Sequence, residues 1–302
     1  MREPLWIFQK RFVSRQIPLP IAKMYIYFLL VGLDYLHSEC KVVHADLKLD
    51  NILMSFESEE ILGTFINQKH QMEYKTDEKS GRTTYRCNND FGPLNMKKFT
   101  SLIPKITDFG LSARLDELDT RNDLVGGQLY SYPIQPDYYR APEVILGCGW
   151  DAKADIWNFG VLLWNILGGK ELFQQVHDKN GLYDAKLHLG EMIALLGTPP
   201  TALIARSEAM SRCNWPEHLT NTTGKLCNNP QEFFGGPFFN SEGEFFYNEL
   251  IPSRNLESGI QFLEDSEKET FLSFVSQMLV WHPDERKTAR ELIEHPFLKL
   301  SS

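Results

Sequence analysis

The chain has 302 residues, 42% of them hydrophobic, enough for one large domain or two small ones with a real core, which excludes a disordered tail. Its formal net charge of −9 argues against direct nucleic-acid binding, which favours a basic face, and suits a basic protein partner. The longest uncharged apolar run, Met24 to Leu33, is too short to span a bilayer, and the first dozen residues lack the apolar stretch of a signal peptide; the expectation is a cytoplasmic monomer, open to nuclear entry, with no membrane attachment.

Residues 1–16 set Trp6, Phe8 and Phe12 among Arg2, Lys10, Arg11 and Arg15, which predicts a short amphipathic helix with a basic outer side. Pro18 and Pro20 then mark a loop. Ile21, Tyr25, Phe28, Leu29, Gly32 and Leu36 recur at helical spacing and predict a long helix ending near His37 and Ser38. Most of the chemistry follows at once, in VVHADLKLDNIL at 42–53. Val42, Val43, Ile52 and Leu53 have the β-branched and apolar character of two short strands. Between them, His-x-Asp-x-Lys-x-x-Asn is the spacing of a phosphoryl-transfer loop. Asp46 can accept the proton of an attacking hydroxyl, Lys48 can neutralise charge on the transferred group, and Asn51 can coordinate a divalent metal through its side-chain oxygen. Taken alone, Asp46 would read as a turn or capping residue.

The next signal is Ile106-Thr107-Asp108-Phe109-Gly110, where Asp108 is a second metal-binding carboxylate, Phe109 packs, and Gly110 permits unusual backbone angles. Asp108 lies 57 residues beyond Asn51, where one hairpin of about a dozen residues would suffice, so 54–104 is an insertion. Its middle, KTDEKSGRTTYRCNND, is polar and expected to be mobile, while Leu94, Phe99, Leu102 and Ile103 predict a return to the core. Tyr139-Arg140-Ala141-Pro142-Glu143 follows, then a fully apolar helix over Ala154–Leu167 that begins ADIWNFG. Residues 188–200 read as a further helix, and 201–265 as irregular, with the aromatics near 233–247 used for core packing rather than docking. Helices over 267–281 and 288–295 flank Pro283 and carry Arg286. Five cysteines at 40, 87, 148, 213 and 227 form no Cys-x-x-Cys pair and are expected to be reduced and mostly buried.

The catalytic-loop spacing, Asp-Phe-Gly, Ala-Pro-Glu and Asp155 with Arg286, in this order, resemble the C-terminal lobe of a eukaryotic protein kinase. Arg140 ahead of Ala141-Pro142-Glu143, and HLGEMIALLGTPP, resemble the CMGC group; the place of the insertion and GLDYLHSECKVVHADLK resemble its SR-protein kinases. The resemblance implies a mainly α fold with short β hairpins across 1–302. Its parts are first helices and catalytic loop (1–53), a spacer-like insertion (54–104), then metal loop, activation segment and C-terminal helices (105–302). The small N-terminal lobe is read as absent, because no glycine precedes Gly32 and neither a Gly-rich loop nor a strand lysine is found.

The activity so implied is protein serine/threonine phosphorylation with ATP and magnesium. Asp46 is the base, Lys48 is catalytic and touches the nucleotide, Asn51 and Asp108 hold magnesium, and Leu53 contributes to the adenine floor. The resemblance also implies that Asp155 tethers the catalytic loop, that His44 packs beneath the metal loop, that Glu143 pairs with Arg286, and that the substrate is an Arg/Ser-rich protein. Residues 111–139 become the activation segment, with Gly126-Gly127 as its flexible point and Tyr130, Ser131 and Tyr132 as the nearest hydroxyls. The alternative is a non-catalytic lobe that docks or regulates and binds ATP poorly. Two positions depart from the family. Ala45 stands where SR-protein kinases usually have threonine and where many kinases have the arginine that clamps an activation-segment phosphate, which predicts activity without that phosphorylation. Phe109 stands where SR-protein kinases commonly have leucine.

Overall fold

The computed structural model describes residues 1–67, 73–86, 91–93, 101–116 and 129–299. A short helix α1 (Leu5–Gln9) leads to the long α2 (Leu19–Ser38), and strands β1 (Val42–Val43) and β2 (Ile52–Met54) bracket the catalytic loop. The insertion contributes α3 (Glu60–Asn67), β3 (Tyr74–Thr76) and β4 (Thr83–Tyr85), after which β5 (Pro104–Ile106) and β6 (Ala113–Arg114) bracket the metal loop. The rest is helical: α4 (Pro142–Ile145), α5 (Lys153–Gly168), α6 (Ala185–Leu196) and α7 (Thr201–Met210) precede a two-stranded ladder of β7 (Leu219–Thr220) and β8 (Leu226–Cys227). Helices α8 (Pro230–Phe234), α9 (Asp265–Val275) and α10 (Ala289–Ile293) close the chain.

Two antiparallel ladders bring the two loops together. β2 pairs with β5, Ile52 opposite Ile106, and β1 pairs with β6, Val43 opposite Ala113. Beneath them runs α5, every residue of which from Ala154 to Leu167 is buried. It stops at Gly169, whose left-handed φ of 61° lets its N–H return to the Asn165 carbonyl at 3.2 Å. Helix α2 is long and apolar enough to cross a bilayer by length and composition alone. Its residues Tyr25, Ile26, Leu29, Leu30 and Leu33 are instead buried within the core cluster, the behaviour of a core helix.

Several expectations need correction. Only Leu5–Gln9 of the first sixteen residues is α-helical, because residues 2–4 run extended against β2: Arg2 N–H donates to the Met54 carbonyl at 2.7 Å and Met54 N–H to Glu3 at 3.1 Å. Arg2 therefore points inward, onto Glu57 at 2.6 and 2.7 Å, rather than lying on a basic outer side. Pro20 is not in a loop; it occupies the first turn of α2, where a missing N–H costs no helical bond. Part of the polar insertion is an ordered hairpin: the Asp77 carboxylate accepts from the N–H groups of Ser80 (2.9 Å) and Lys79 (2.8 Å), which lowers its pKa, and Gly81 takes φ 69° to close the turn. Thr201–Met210, expected to be irregular, is helical. Phe238, Phe239 and Phe245 pack in the core as expected, whereas Phe246 is exposed. Of the cysteines, 148 and 227 are buried, 40 and 213 are half-buried, and all four are free. Cys87, Leu94, Phe99 and Gly126-Gly127 lie outside the described residues; Leu102 is buried as expected, whereas Ile103 is exposed.

Candidate active site

The loop from His44 to Asn51 is held from below by α5. The Asp155 carboxylate, fully buried, accepts from the backbone N–H of His44 (2.7 Å) and of Ala45 (2.9 Å), and a third contact, 2.9 Å, comes from His37 Nε2 on α2. One turn along α5, Asn158 donates its amide to the Leu47 carbonyl at 2.7 Å. So fixed, Ala45 adopts φ 65°, a left-handed conformation uncommon for a residue with a β-carbon. Asp46 is buried, its side chain 10% exposed, and its carboxylate accepts from Lys48 Nζ at 2.9 and 3.1 Å and from Asn51 Nδ2 at 2.8 Å. A second bond from Asn51 Nδ2 to the Asp46 carbonyl, 2.9 Å, fixes the amide so that its oxygen faces away from Asp46.

The metal loop is tied to the same residues. Thr107 donates through both N–H (2.9 Å) and Oγ1 (3.0 Å) to the Asn51 carbonyl, which sets Asp108 beside Asn51. His44 accepts the Asp46 N–H at Nδ1 (3.2 Å), so its Nε2 carries the proton and donates to the Thr107 carbonyl at 2.9 Å; its ring meets Phe109 edge-on at 5.1 Å. His44 therefore joins the two loops. The unusual backbone angle falls on Asp108 itself, φ 66°, and not on Gly110. The Asp108 carboxylate is exposed and makes no hydrogen bond among the described residues. The Asp108 carboxylate and the Asn51 amide oxygen, neither hydrogen-bonded among the described residues, are hard oxygen donors of the kind magnesium accepts. Among the described residues no group of three or more His, Cys, Asp or Glu forms a metal cage, so any further ligands would be water or substrate oxygens. Leu53 lies on β2 between buried Ile52 and Met54, is half-buried on the other face, and bridges to Pro4.

The segment leading to Ala141-Pro142-Glu143 docks directly on the catalytic loop. Gln135, with φ 70°, donates its N–H to the Ala45 carbonyl at 3.0 Å, while its side chain donates to Ala154 (2.9 Å) and accepts from Ala141 N–H (2.7 Å). Arg140 Nη2 donates to the Gln135 carbonyl at 2.9 Å, and its guanidinium lies 4.2 Å over the Tyr183 ring. Tyr139 donates to Asn165 Oδ1 at 2.9 Å; burial, then the charges of Glu171 and Asp50, push its phenol pKa up. Upstream, Tyr130 and Trp150 exchange backbone bonds of 3.1 and 2.8 Å and stack their rings, and Trp215 Nε1 donates to Ser131 Oγ at 3.1 Å. Glu143 and Arg286 form a fully buried bidentate pair at 2.6 and 2.7 Å.

Three positioning residues escaped the sequence reading. His37 passed as a helix end, Gln135 as a loop residue, and Asn158 as part of an apolar run. A polar side chain inside an otherwise apolar buried helix was the available sign for Asn158. No sequence signal marks the other two, whose partners lie more than 80 residues away along the chain for both the His37–Asp155 and Gln135–Ala45 contacts.

Comparison with known proteins agrees with this geometry. A family model described as protein kinase domain matches residues 7–298, nearly the whole chain, so the expectation that the small N-terminal lobe is absent is not supported. Serine/threonine protein kinase AFUB_078980 of Aspergillus fumigatus is 33% identical over 293 residues, which cover 96% of this chain and 61% of that protein. Serine/threonine-protein kinase SRPK of Physarum polycephalum is 26% identical over 299 residues, 93% of this chain and 61% of that one. Dual specificity protein kinase CLK4 of Homo sapiens is 25% identical over 279 residues, with 91% and 44% covered. The chain thus spans about three fifths, or less, of the length of these curated relatives. The crystal structure of the PF14_0431 kinase domain has the same fold, with a TM-score of 0.61 at 21% identity over 99% of this chain and 71% of that one. The chain belongs to the protein kinase domain family.

Proposed function

We propose that this chain carries the phosphoryl-transfer machinery of a protein serine/threonine kinase. The observation that carries the proposal is the buried Asp46 carboxylate held between Lys48 and Asn51, at 2.9 and 2.8 Å, in a loop anchored by Asp155. In the reaction a serine or threonine hydroxyl attacks the γ-phosphorus of ATP in line, its proton passes to Asp46, and ADP leaves. Lys48 offsets the charge on the transferred group. Asn51 and Asp108 would hold a magnesium ion, which would supply positive charge to offset that of the phosphates. Leu53, half-buried on β2, would lie under the adenine ring. The Gln135–Ala45 bond supports activity without activation-segment phosphate, because the segment meets the catalytic loop through its own backbone.

Arg/Ser-rich proteins are the substrate class we infer. Support comes from the net charge of −9, from the resemblance to SR-protein kinases, and from a relative named SRPK. The test is transfer of γ-labelled phosphate to an Arg/Ser repeat peptide by the protein from its source cells. Label on serine, at a rate unchanged by prior phosphatase treatment, is expected; label on tyrosine alone, or none, overturns the reading.

A second reading, a docking or regulatory module formed by the larger kinase lobe, is favoured by one observation. Phe109 and Leu111, apolar residues beside Asp108, are 44% and 64% exposed. Mg-ATP titration separates the two, since a docking module binds the nucleotide poorly and transfers nothing.

A further inference from the structure

A chain of hydrogen bonds runs from the loop after α5 to the residue preceding Asp46. His177 Nε2 stands 3.0 Å from Asp137 Oδ2, and Asp137 Oδ1 accepts from Arg140 Nη2 at 2.9 Å. The same Nη2 donates to the Gln135 carbonyl at 2.9 Å, and Gln135 N–H donates to the Ala45 carbonyl at 3.0 Å. We infer that Asp137 and His177 are positioning residues: they brace Arg140, and through it the left-handed Gln135, so that residues 134–139 present a preset edge beside Asp46 to a protein substrate. For its kinetic consequence the inference rests on the phosphotransfer reading above; the brace itself does not.

Three observations favour a local role over a merely stabilising one. The Asp137 and His177 side chains are 38% and 27% exposed, and ion pairs so open to water contribute little to global stability. Arg140 is their dependent: its side chain is 11% exposed, Asp137 is its carboxylate partner, and its Nη1 is buried with no acceptor among the described residues. Without Asp137 that guanidinium would have one more unmet N–H and no counter-charge, and the nearest relief is to turn toward water and release the Gln135 carbonyl. Gln135, finally, is a residue with a β-carbon at φ 70°, a conformation that persists only where its surroundings over-determine it. His177 is itself fixed, by the edge-on Tyr138 ring at 5.1 Å and by a backbone bridge to Tyr183.

The test uses the whole chain with Asp137→Ala, His177→Ala and His177→Gln, the last keeping an N–H for Asp137. Two quantities are read: hydrogen exchange at the Gln135 amide, and affinity for an Arg/Ser repeat peptide, as a titrated Kd and, under turnover, as KM. In D137A and H177A the amide should exchange about tenfold faster, and the peptide Kd and KM should rise about tenfold, with the KM for ATP unmoved. H177Q should restore both. Unchanged Gln135 exchange overturns the brace, as does faster exchange with unchanged peptide affinity, or an H177Q that behaves like H177A. Should the wild-type chain transfer no phosphate at all, the functional reading fails, and exchange with titrated affinity still decides the brace.

Discussion

Between Val42 and Met54 the chain buries His44, Asp46 and Asn51 and gives each side chain specific partners, whereas the described elements of the insertion do not: no residue of α3 is buried and all of β3 and β4 is exposed. The two regions are adjacent in sequence and held by different physics. The first is specified from a distance, by Asp155, Asn158, Thr107 and Gln135, so its order is as strong as the core behind it. The second is specified locally, by the Asp77 turn, the Tyr74–Tyr85 ring pair at 6.0 Å and the Thr76–Thr83 hydroxyl bond at 3.0 Å. A buried polar group without its partner is costly, and an exposed one is hydrated at little cost. Substitutions should therefore divide by region.

The largest stability effect belongs to the buried pair. Replacing Arg286 by alanine leaves Glu143 charged and alone, and urea unfolding should show a loss of about 3–5 kcal/mol; a loss near that of a surface substitution would break the comparison. Asp155→Asn comes next. It removes the charge from an acceptor shared by two catalytic-loop N–H groups, and should cost about 1.5–3 kcal/mol, with faster hydrogen exchange at His44 and Ala45. Equal protection in the variant would mean that α5 does not hold the loop. Smaller again is the capping box of α10, where Glu291 lies at the surface. The Thr288 N–H (2.8 Å), then Lys287, pull its pKa from 4.5 down to about 2. A carboxyl depressed on folding contributes in full above its unfolded value, so this contribution should fade as pH drops from about 4.5 toward 2, and acid titration of Glu291→Gln should lack that component. Least affected is the insertion: Tyr74→Ser with Tyr85→Ser should shift stability by less than about 1 kcal/mol, and a larger loss would show the hairpin to be packed on the core.

The legibility of the chain follows the same division. The catalytic and metal loops were readable because their residue types and spacing are dictated by chemistry, and the short strands around the catalytic loop because Val42, Val43, Ile52 and Leu53 have the β-branched and apolar character short strands need. The pairing of Glu143 with Arg286 came from the family resemblance, and the geometry agrees. What escaped was set by tertiary contact. Arg2 looks like a surface residue until Glu57 is folded against it, and the left-handed backbone at Ala45, Asp108 and Gln135 is imposed by bonds to residues far along the chain. The hairpin in the polar insertion escaped for the opposite reason: an Asp-x-x-x-Gly turn was present, and its low apolar content masked it.

Asp46→Asn tests the central claim most directly, measured as the rate of γ-phosphate transfer to an Arg/Ser repeat peptide beside a check of fold by circular dichroism. The amide is close in shape and cannot take the hydroxyl proton, so the expected result is an unchanged spectrum with transfer slowed by about 10²–10⁴-fold. Transfer at the wild-type rate by folded D46N protein would contradict the assignment of Asp46 as the base, and with it the account of this site.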